Sequence, residues 1–407
     1  MTVGNLVDES QPFAPHALHF VSHFSLRNAC IAWYNTSTAS HRAQFISPDG
    51  LSAVVHGFSE HSFRYSRITT VRAGSPVERA HMRRHCVRRP LGLAIYFQSN
   101  NLFHAMFHAP PAWHQLAQFA HETQQPPTFI PLVGYIAGRT WAAESHWHVA
   151  AWELLVRALT KMSPQEIAQQ LQSLLSARCT CFDRVEGSTG YFSPASRQPV
   201  STRPVLGGWR ANILAHLRTA ERLNVAVHAH TSPSNSFTAA RQILFIARNS
   251  RTRVLVNQDA AFERLRREFG PHLHAVAMEH HLLSDQIRII ASTKVLIGVH
   301  GQALALMVFL PLSPERSALV EIKPVWAGRI RARETAWHLI YDDWSSTLGV
   351  GYFPLTADVD TSVRSCRPAA SRKAGGGPLR CNVSVSVGKL EARVKAAVRF
   401  TDGGADQ

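Results

Sequence analysis

Three arginines, a His-Gly pair and one glutamate each stand at or near the end of a short apolar run. Arg248, Arg251 and Arg253 follow Ile243–Ala247, His300-Gly301 follows Val295–Val299, and Glu321 lies within Ala318–Ile322. If the three runs are strands of one parallel sheet, these groups gather at its carboxyl edge, where open α/β sheets bind ligands. Guanidinium groups pair bidentately with phosphate oxygens. Gly301 lets backbone N–H groups approach a ligand closely. A helix starting there adds free N–H groups and a positive dipole end. Glu321 is expected to accept both hydroxyls of a ribose. The set complements a nucleoside diphosphate. Loop arginines and a buried-strand glutamate in a non-binding fold would look the same by spacing alone.

These residues need a scaffold, and the second half of the chain has the pattern of one. Ile243–Ala247 reads as a strand, Asp259–Phe269 as a helix with Asp259 as N-cap and Gly270 as C-cap, His274–Met278 as a strand, and Ser284–Ala291 as a helix capped by Ser284. Val295–Val299 is then a buried strand, a helical pattern runs from Ala303 to Pro311, and Ala318–Ile322 is a further buried strand. Such alternation predicts a parallel, doubly wound sheet with right-handed crossovers. The first half is mixed. Leu51–His56, Leu91–Phe97 and Phe129–Ile136 read as strands, four stretches between Phe103 and Leu223 as helices, and Cys179–Leu206 as irregular. The polar, turn-rich segment His228–Thr238 marks the expected linker. The expected domains are 1–235, 236–360, and a tail, 361–407, made of a flexible loop and a closing helix.

Composition sets bounds. At 407 residues the chain can bury two cores, and 45% apolar with 17% charged residues is globular. The formal charge of +16 permits an anionic partner. The excess is almost wholly arginine and widely scattered, and the dense cluster Arg83–Arg89 lacks the aromatic interleaving of a single-strand binder. Nucleic acid is therefore not the expected partner. Among the six cysteines no C-x-x-C pair supports zinc; no metal or cofactor is expected. The acidic pair Asp342-Asp343 sits beside Tyr341 and Trp344 and reads as surface or acceptor side. No G-x-G-x-x-G follows a predicted strand, which disfavours a nicotinamide enzyme. The start of the sequence has no basic segment followed by an apolar run, and no span of about 20 apolar residues occurs. The expectation is a cytoplasmic protein or a sequence beginning after its targeting segment, without membrane contact. The sequons Asn35-Thr-Ser37 and Asn382-Val-Ser384 fit a lumenal protein.

Over residues 241–325 the chain resembles glycosyltransferase family 61. The resemblance lies in the strand leading to Arg248, the segment Arg253-Val-Leu-Val-Asn257, Gln286 at a helix start, the strand ending in His300-Gly301, the following helix with Phe309, and the strand reaching Glu321. More weakly, Asn101-Leu-Phe-His104 and Cys181-Phe182…Gly187 resemble family segments of the first half, and Asn101–His104 and Phe309–Pro311 look closest to protein O-linked-mannose N-acetylglucosaminyltransferases. The resemblance implies a GT-B architecture of two Rossmann-like domains, with the acceptor side in the first and the nucleotide-sugar side in the second. It implies inverting transfer of a sugar, GlcNAc or xylose first, from a UDP-sugar donor to a glycan or glycoprotein hydroxyl in the endoplasmic reticulum or Golgi. On this reading Arg248, Arg253, Asn257, His300, Gly301, Gln302 and Glu321 bind the nucleotide sugar.

An inverting transfer needs a base for the acceptor hydroxyl. His104, by motif position, and Asp183 are the leading candidates, with His108 and Glu144 behind them. The chain departs from the family at three places. Gln302-Ala-Leu-Ala-Leu306 follows His-Gly where the family has Ala and often Thr-Asn, the two arginines are five residues apart instead of four, and His108 stands where an Asp is usual. The last departure motivates the alternative of a catalytically silent homologue that binds nucleotide or glycan without turnover.

Overall fold

The computed structural model of the chain describes residues 23–34, 42–46, 51–55, 68–72, 86–95, 128–131, 179–188, 206–219, 242–248, 253–312, 315–325, 340–360 and 381–403, with isolated positions between 106 and 177 and Ser362. The chain divides into two compact units: Met1–Ser193 with Ala211–His216, and Pro194–Arg210 with Leu217–Gln407. The main division thus falls ahead of the linker expected at 228–238.

The first unit holds a seven-stranded sheet of β1 (His23–Tyr34), β2 (Arg42–Ile46), β3 (Leu51–Val55), β4 (Ile68–Arg72), β5 (Val87–Ile95), β6 (Thr128–Pro131) and β7 (Cys179–Ser188). Its spatial order is β4-β3-β2-β1-β7-β5-β6. Strands β1 to β4 pair antiparallel in sequence, β7 pairs antiparallel with β1, and only β7-β5-β6 run parallel. This corrects the expectation of a Rossmann-like first domain. The links 35–41 and 47–50 are too short for the crossover that parallel neighbours require. A second correction concerns Cys179–Ser188, read from the sequence as irregular; it is a central strand between β1 and β5, with Thr180, Cys181, Phe182 and Val185 buried.

The second unit follows the sequence pattern closely. Strands β8 (Gln242–Ala247), β9 (Leu273–Ala277), β10 (Thr293–Val299), β11 (Ala318–Val325) and β12 (Gly351–Val359) are parallel, and β13 (Val383–Ser384) adds antiparallel to β12. The order is β9-β8-β10-β11-β12-β13. Helices α1 (Gln258–Phe269), α2 (Leu283–Ala291), α3 (Ile340–Leu348) and α4 (Val387–Thr401) join and flank the strands. The β10–β11 link is a 3₁₀ helix, Gln302–Phe309, where an α-helical pattern was expected. From Leu304 to Leu310 it is at most 1% exposed, so it has no polar face and behaves as core.

Side chains alternate across a sheet. Ile243, Phe245, Val295, Ile297, Val299, Val320 and Ile322 face one way and pack with Ala261 and Leu265 of α1 and Leu390, Val394 and Ala397 of α4. The closing helix, expected over Leu390–Phe400 in the tail, is therefore part of this core. Gly298 is on the opposite face, where a Cβ would stand 2.9 Å from Leu304 Cδ2 of the 3₁₀ helix. Lacking one, it lets that helix lie close on β10.

Helices thus cover both faces of a largely parallel sheet. Among the described residues no helix is long and apolar enough to cross a membrane. Cys86, Cys181 and Cys381 are disulfide-bonded, and no described cysteine is free.

Candidate functional site

The chain leaves β8 through α1 toward β9 on one side, and leaves β10 through the 3₁₀ helix toward β11 on the other. The carboxyl ends of β8 and β10 therefore border the topological switch point, the place where an open α/β sheet forms its ligand crevice. Arg248 follows β8 there and His300-Gly301 follow β10. The sheet order, which the sequence does not contain, makes them neighbours.

Arg248 and Arg253 lie over Gly301. A Cβ at Gly301 would meet Arg248 Nη1 at 3.0 Å and Arg253 Nη1 at 3.3 Å. Arg253 Nη1 donates to the His300 carbonyl at 3.3 Å. Arg248 Nη1 and Arg253 Nε are buried without a hydrogen-bond partner among the described residues, and neither guanidinium has a carboxylate in ion-pair contact there. Burial, and the nearby charge of Arg253, hold Arg248 down to about 10, and burial lowers Arg253 too. At neutral pH two partly buried cations remain side by side, an arrangement that costs free energy unless an anion compensates it.

The backbone that follows Arg253 is strapped to β13 and its neighbours. Val254 N–H donates to Asn382 Oδ1 at 3.1 Å, Val383 N–H to the Val254 carbonyl at 2.9 Å, and Val256 N–H to the Val383 carbonyl at 2.7 Å. Asn257 completes the strap: its Nδ2 donates to the Val385 carbonyl at 2.8 Å and its Oδ1 accepts from Val385 N–H at 3.2 Å. Both ends of the Asn257 amide are thus engaged in holding the loop, not offered to a ligand. Asn257 also stands at the N-cap position of α1, the place expected for Asp259. Arg253 has φ 59°, the left-handed region that β-strand and helix residues avoid.

On the β10 side, His300 is 7% exposed and Glu321 fully buried. His300 Nδ1 lies 2.5 Å from Glu321 Oε1. Tyr352 Oη donates to Glu321 Oε2 at 2.5 Å, and Lys323 Nζ is 3.9 Å from the same oxygen. Both carboxylate oxygens of Glu321 are thus engaged by side chains of its own unit. The parallel register explains the grouping: Gly298 stands opposite Glu321, and Leu319 opposite Tyr352, on the face that carries the 3₁₀ helix. Tyr341 Oη donates to the Gly301 carbonyl at 2.6 Å, and its ring meets the His300 ring edge-on at 5.4 Å. Burial and the Glu321 charge raise both tyrosines, which keeps them as donors.

Arg248, Arg253, His300, Gly301 and Glu321 are therefore brought together. Gln302 begins the 3₁₀ helix beside them. Asp183 is exposed on β7 of the first unit. His104, His108, Glu144 and Arg251 lie outside the described residues. Sequence reasoning missed Tyr341, Tyr352 and Lys323. Tyr341, noted only as the aromatic neighbour of Asp342-Asp343, is 2% exposed in the first turn of α3. The alternation of Val350 to Val359 was the available signal for β12 and hence for Tyr352. Gln286 is fully buried and donates to the Met278 and His281 carbonyls, so it secures the turn before α2.

A family model described as Glycosyltransferase 61 matches residues 93–319, more than half of the chain. The match takes in β8, the arginine loop, β10, His300-Gly301 and the first residues of β11. No curated protein matches the sequence. An anion-ready crevice at a sheet switch point and a family match that spans it lead to the same place: the chain belongs to glycosyltransferase family 61.

Proposed function

We propose that this glycosyltransferase takes a sugar from a UDP-sugar donor, with GlcNAc or xylose the leading candidates, and transfers it with inversion to a hydroxyl of a glycan or glycoprotein. The observation that carries the donor reading is the Arg248–Arg253 pair, two partly buried guanidiniums without a carboxylate partner over the Gly301 backbone. A diphosphate supplies the missing negative charge, and guanidiniums match its oxygens in geometry. The start of the 3₁₀ helix adds backbone N–H groups at Gly301 and Gln302.

In the reaction the acceptor oxygen attacks C1 of the sugar as the bond from C1 to the phosphate oxygen breaks. The electron pair of that bond leaves with UDP. Cations fixed in advance around the phosphates stabilise this charge without reorganising, so the donor reading includes no metal or other cofactor. A base takes the acceptor proton; His104 and Asp183 remain the candidates. On this reading the second unit binds the nucleotide sugar and the first supplies the acceptor side.

Family members generally work in the secretory pathway. Disulfides at Cys86, Cys181 and Cys381 support an oxidising compartment such as the endoplasmic reticulum or Golgi lumen.

Thermal unfolding with and without UDP tests the donor reading. Ligand at about 100 times its Kd stabilises a protein by about 2.7 kcal/mol. No shift in Tm at millimolar UDP refutes it. Release of UDP from UDP-GlcNAc or UDP-xylose with glycan acceptors tests transfer. Binding without release on any acceptor supports the silent homologue, which His108 at the usual Asp position favours.

A further inference from the structure

We propose that Glu321 is a positioning residue for His300: it accepts the Nδ1 proton, fixes the ring tautomer, and leaves Nε2 as the nitrogen that meets the β-phosphate of the donor. The inference rests on the nucleotide reading and deepens it.

The hydrogen-bond inventory fixes the direction of each contact. An ionised carboxylate only accepts, so Nδ1 carries the proton in the 2.5 Å contact with Oε1. The second oxygen of Glu321 accepts from Tyr352 Oη at 2.5 Å, and the Tyr352 ring carries Lys323 Nζ 5.1 Å from its centroid. The carboxylate is thus held from both sides and cannot rotate away from the imidazole without losing a second bond. The ring itself is restrained by the edge contact with Tyr341. Its backbone is pinned by the His300 N–H bond to the Ile322 carbonyl at 2.9 Å and by Arg253 Nη1 on the His300 carbonyl. Nε2 alone has no hydrogen-bond partner among the described residues, and the side chain keeps 9% of its exposure.

A buried acid behind an imidazole sets which nitrogen is available, and exchanging the acid for an amide reverses the tautomer. Here the residue that carries the remaining nitrogen directly precedes Gly301, where the arginines converge. The charged groups around the ring are Arg248 and Arg253 from the β8 loop, Glu321 and Lys323 from β11, with Tyr341 from α3 and Tyr352 from β12. When a diphosphate joins this set, Nε2 takes up a proton from solvent, so that both ring nitrogens donate. As the bond from C1 to oxygen breaks and its electron pair settles on the β-phosphate oxygen, Nε2–H donates a hydrogen bond to the departing group. The proton stays on nitrogen, and no other bond changes.

Selective ¹⁵N-histidine labelling with two-bond proton–nitrogen correlation reads this directly. The His300 signals are identified by their loss in His300→Gln. The expected wild-type spectrum without ligand has the proton on Nδ1. UDP, at a concentration that has already raised Tm, is expected to move Nε2 into the protonated range. In Glu321→Gln, whose amide can donate to Nδ1, the ring proton is expected on Nε2 before ligand is added. An Nε2–H tautomer in the wild type, or an Nε2 signal unmoved while UDP raises Tm, overturns the inference and leaves the nucleotide reading standing. Absence of any UDP effect on Tm overturns both. The wild-type spectra decide the matter even if Glu321→Gln fails to fold.

Discussion

Arg253 holds the carbonyl of His300 through Nη1 at 3.3 Å while its own backbone sits at φ 59°. One residue thus combines a left-handed conformation, costing about 1–2 kcal/mol for a side chain with a Cβ, with a partly buried cation. Stability alone does not account for that combination. Arg253→Gly removes both costs, loses one hydrogen bond, and adds freedom to the unfolded chain. The expected outcome is an unliganded protein within about 1 kcal/mol of wild type whose Tm no longer rises with UDP. Denaturant unfolding and thermal shift measure the two halves. A variant that still responds fully to UDP removes Arg253 from the site.

Gly301 is the second test. Its φ of 166° is extended backbone that alanine adopts without strain, so Gly301→Ala isolates the effect of the added methyl group. That group would meet the ends of Arg248 and Arg253 at 3.0 and 3.3 Å. Both ends are flexible, so the stability cost is small, but the guanidiniums are displaced from the backbone N–H groups they share the ligand with. UDP affinity is expected to fall about tenfold, roughly 1.4 kcal/mol, by titration calorimetry. Unchanged affinity would place the phosphate elsewhere.

Asn257 is expected to behave as a tether. Asn257→Ala loses two hydrogen bonds to Val385, about 1–3 kcal/mol in total, and frees the arginine loop from β13. Chemical denaturation should show that loss. UDP binding should weaken as well, since Arg253 belongs to the same loop. Saturating UDP should recover part of the lost Tm.

The closing helix provides a pH test away from the site. Arg264 and Lys395 hold the Glu391 carboxyl at about 2, below its ordinary 4.5. Since the folded value is the depressed one, the pair's stabilisation is present above about pH 4.5 and is lost as pH falls toward 2. Glu391→Gln should lower Tm at pH 7 and flatten its acid dependence in that window. An unchanged Tm–pH profile would show that the Arg264 contact at 2.6 Å and the Lys395 contact at 2.9 Å are not kept in solution.

Much of the second unit was legible from local pattern. Apolar runs of strand length, alternating with helical periods, specify buried parallel strands because both faces of such a sheet are covered. That pattern alone placed Arg248 and His300-Gly301 at strand ends, and the motifs around them carried the family resemblance. The first half was less legible. Cys179–Ser188 mixes cysteine, charge and glycine, and its identity as a central strand comes from its partners β1 and β5.

What the sequence could not decide were pairings between residues distant along the chain. Nothing local tells Asn257 that Val385, 128 positions on, will occupy its amide, or Glu321 that Tyr352 and His300 will take both its oxygens. A carboxylate and a carboxamide are equally suited to a ligand or to a buried partner. The choice is made by register and burial, which exist only once the strands have paired. The sequence by itself determined which chemistry stands at the edge of the sheet. The tertiary structure decided which groups face one another: the two guanidiniums over Gly301, and His300 against Glu321.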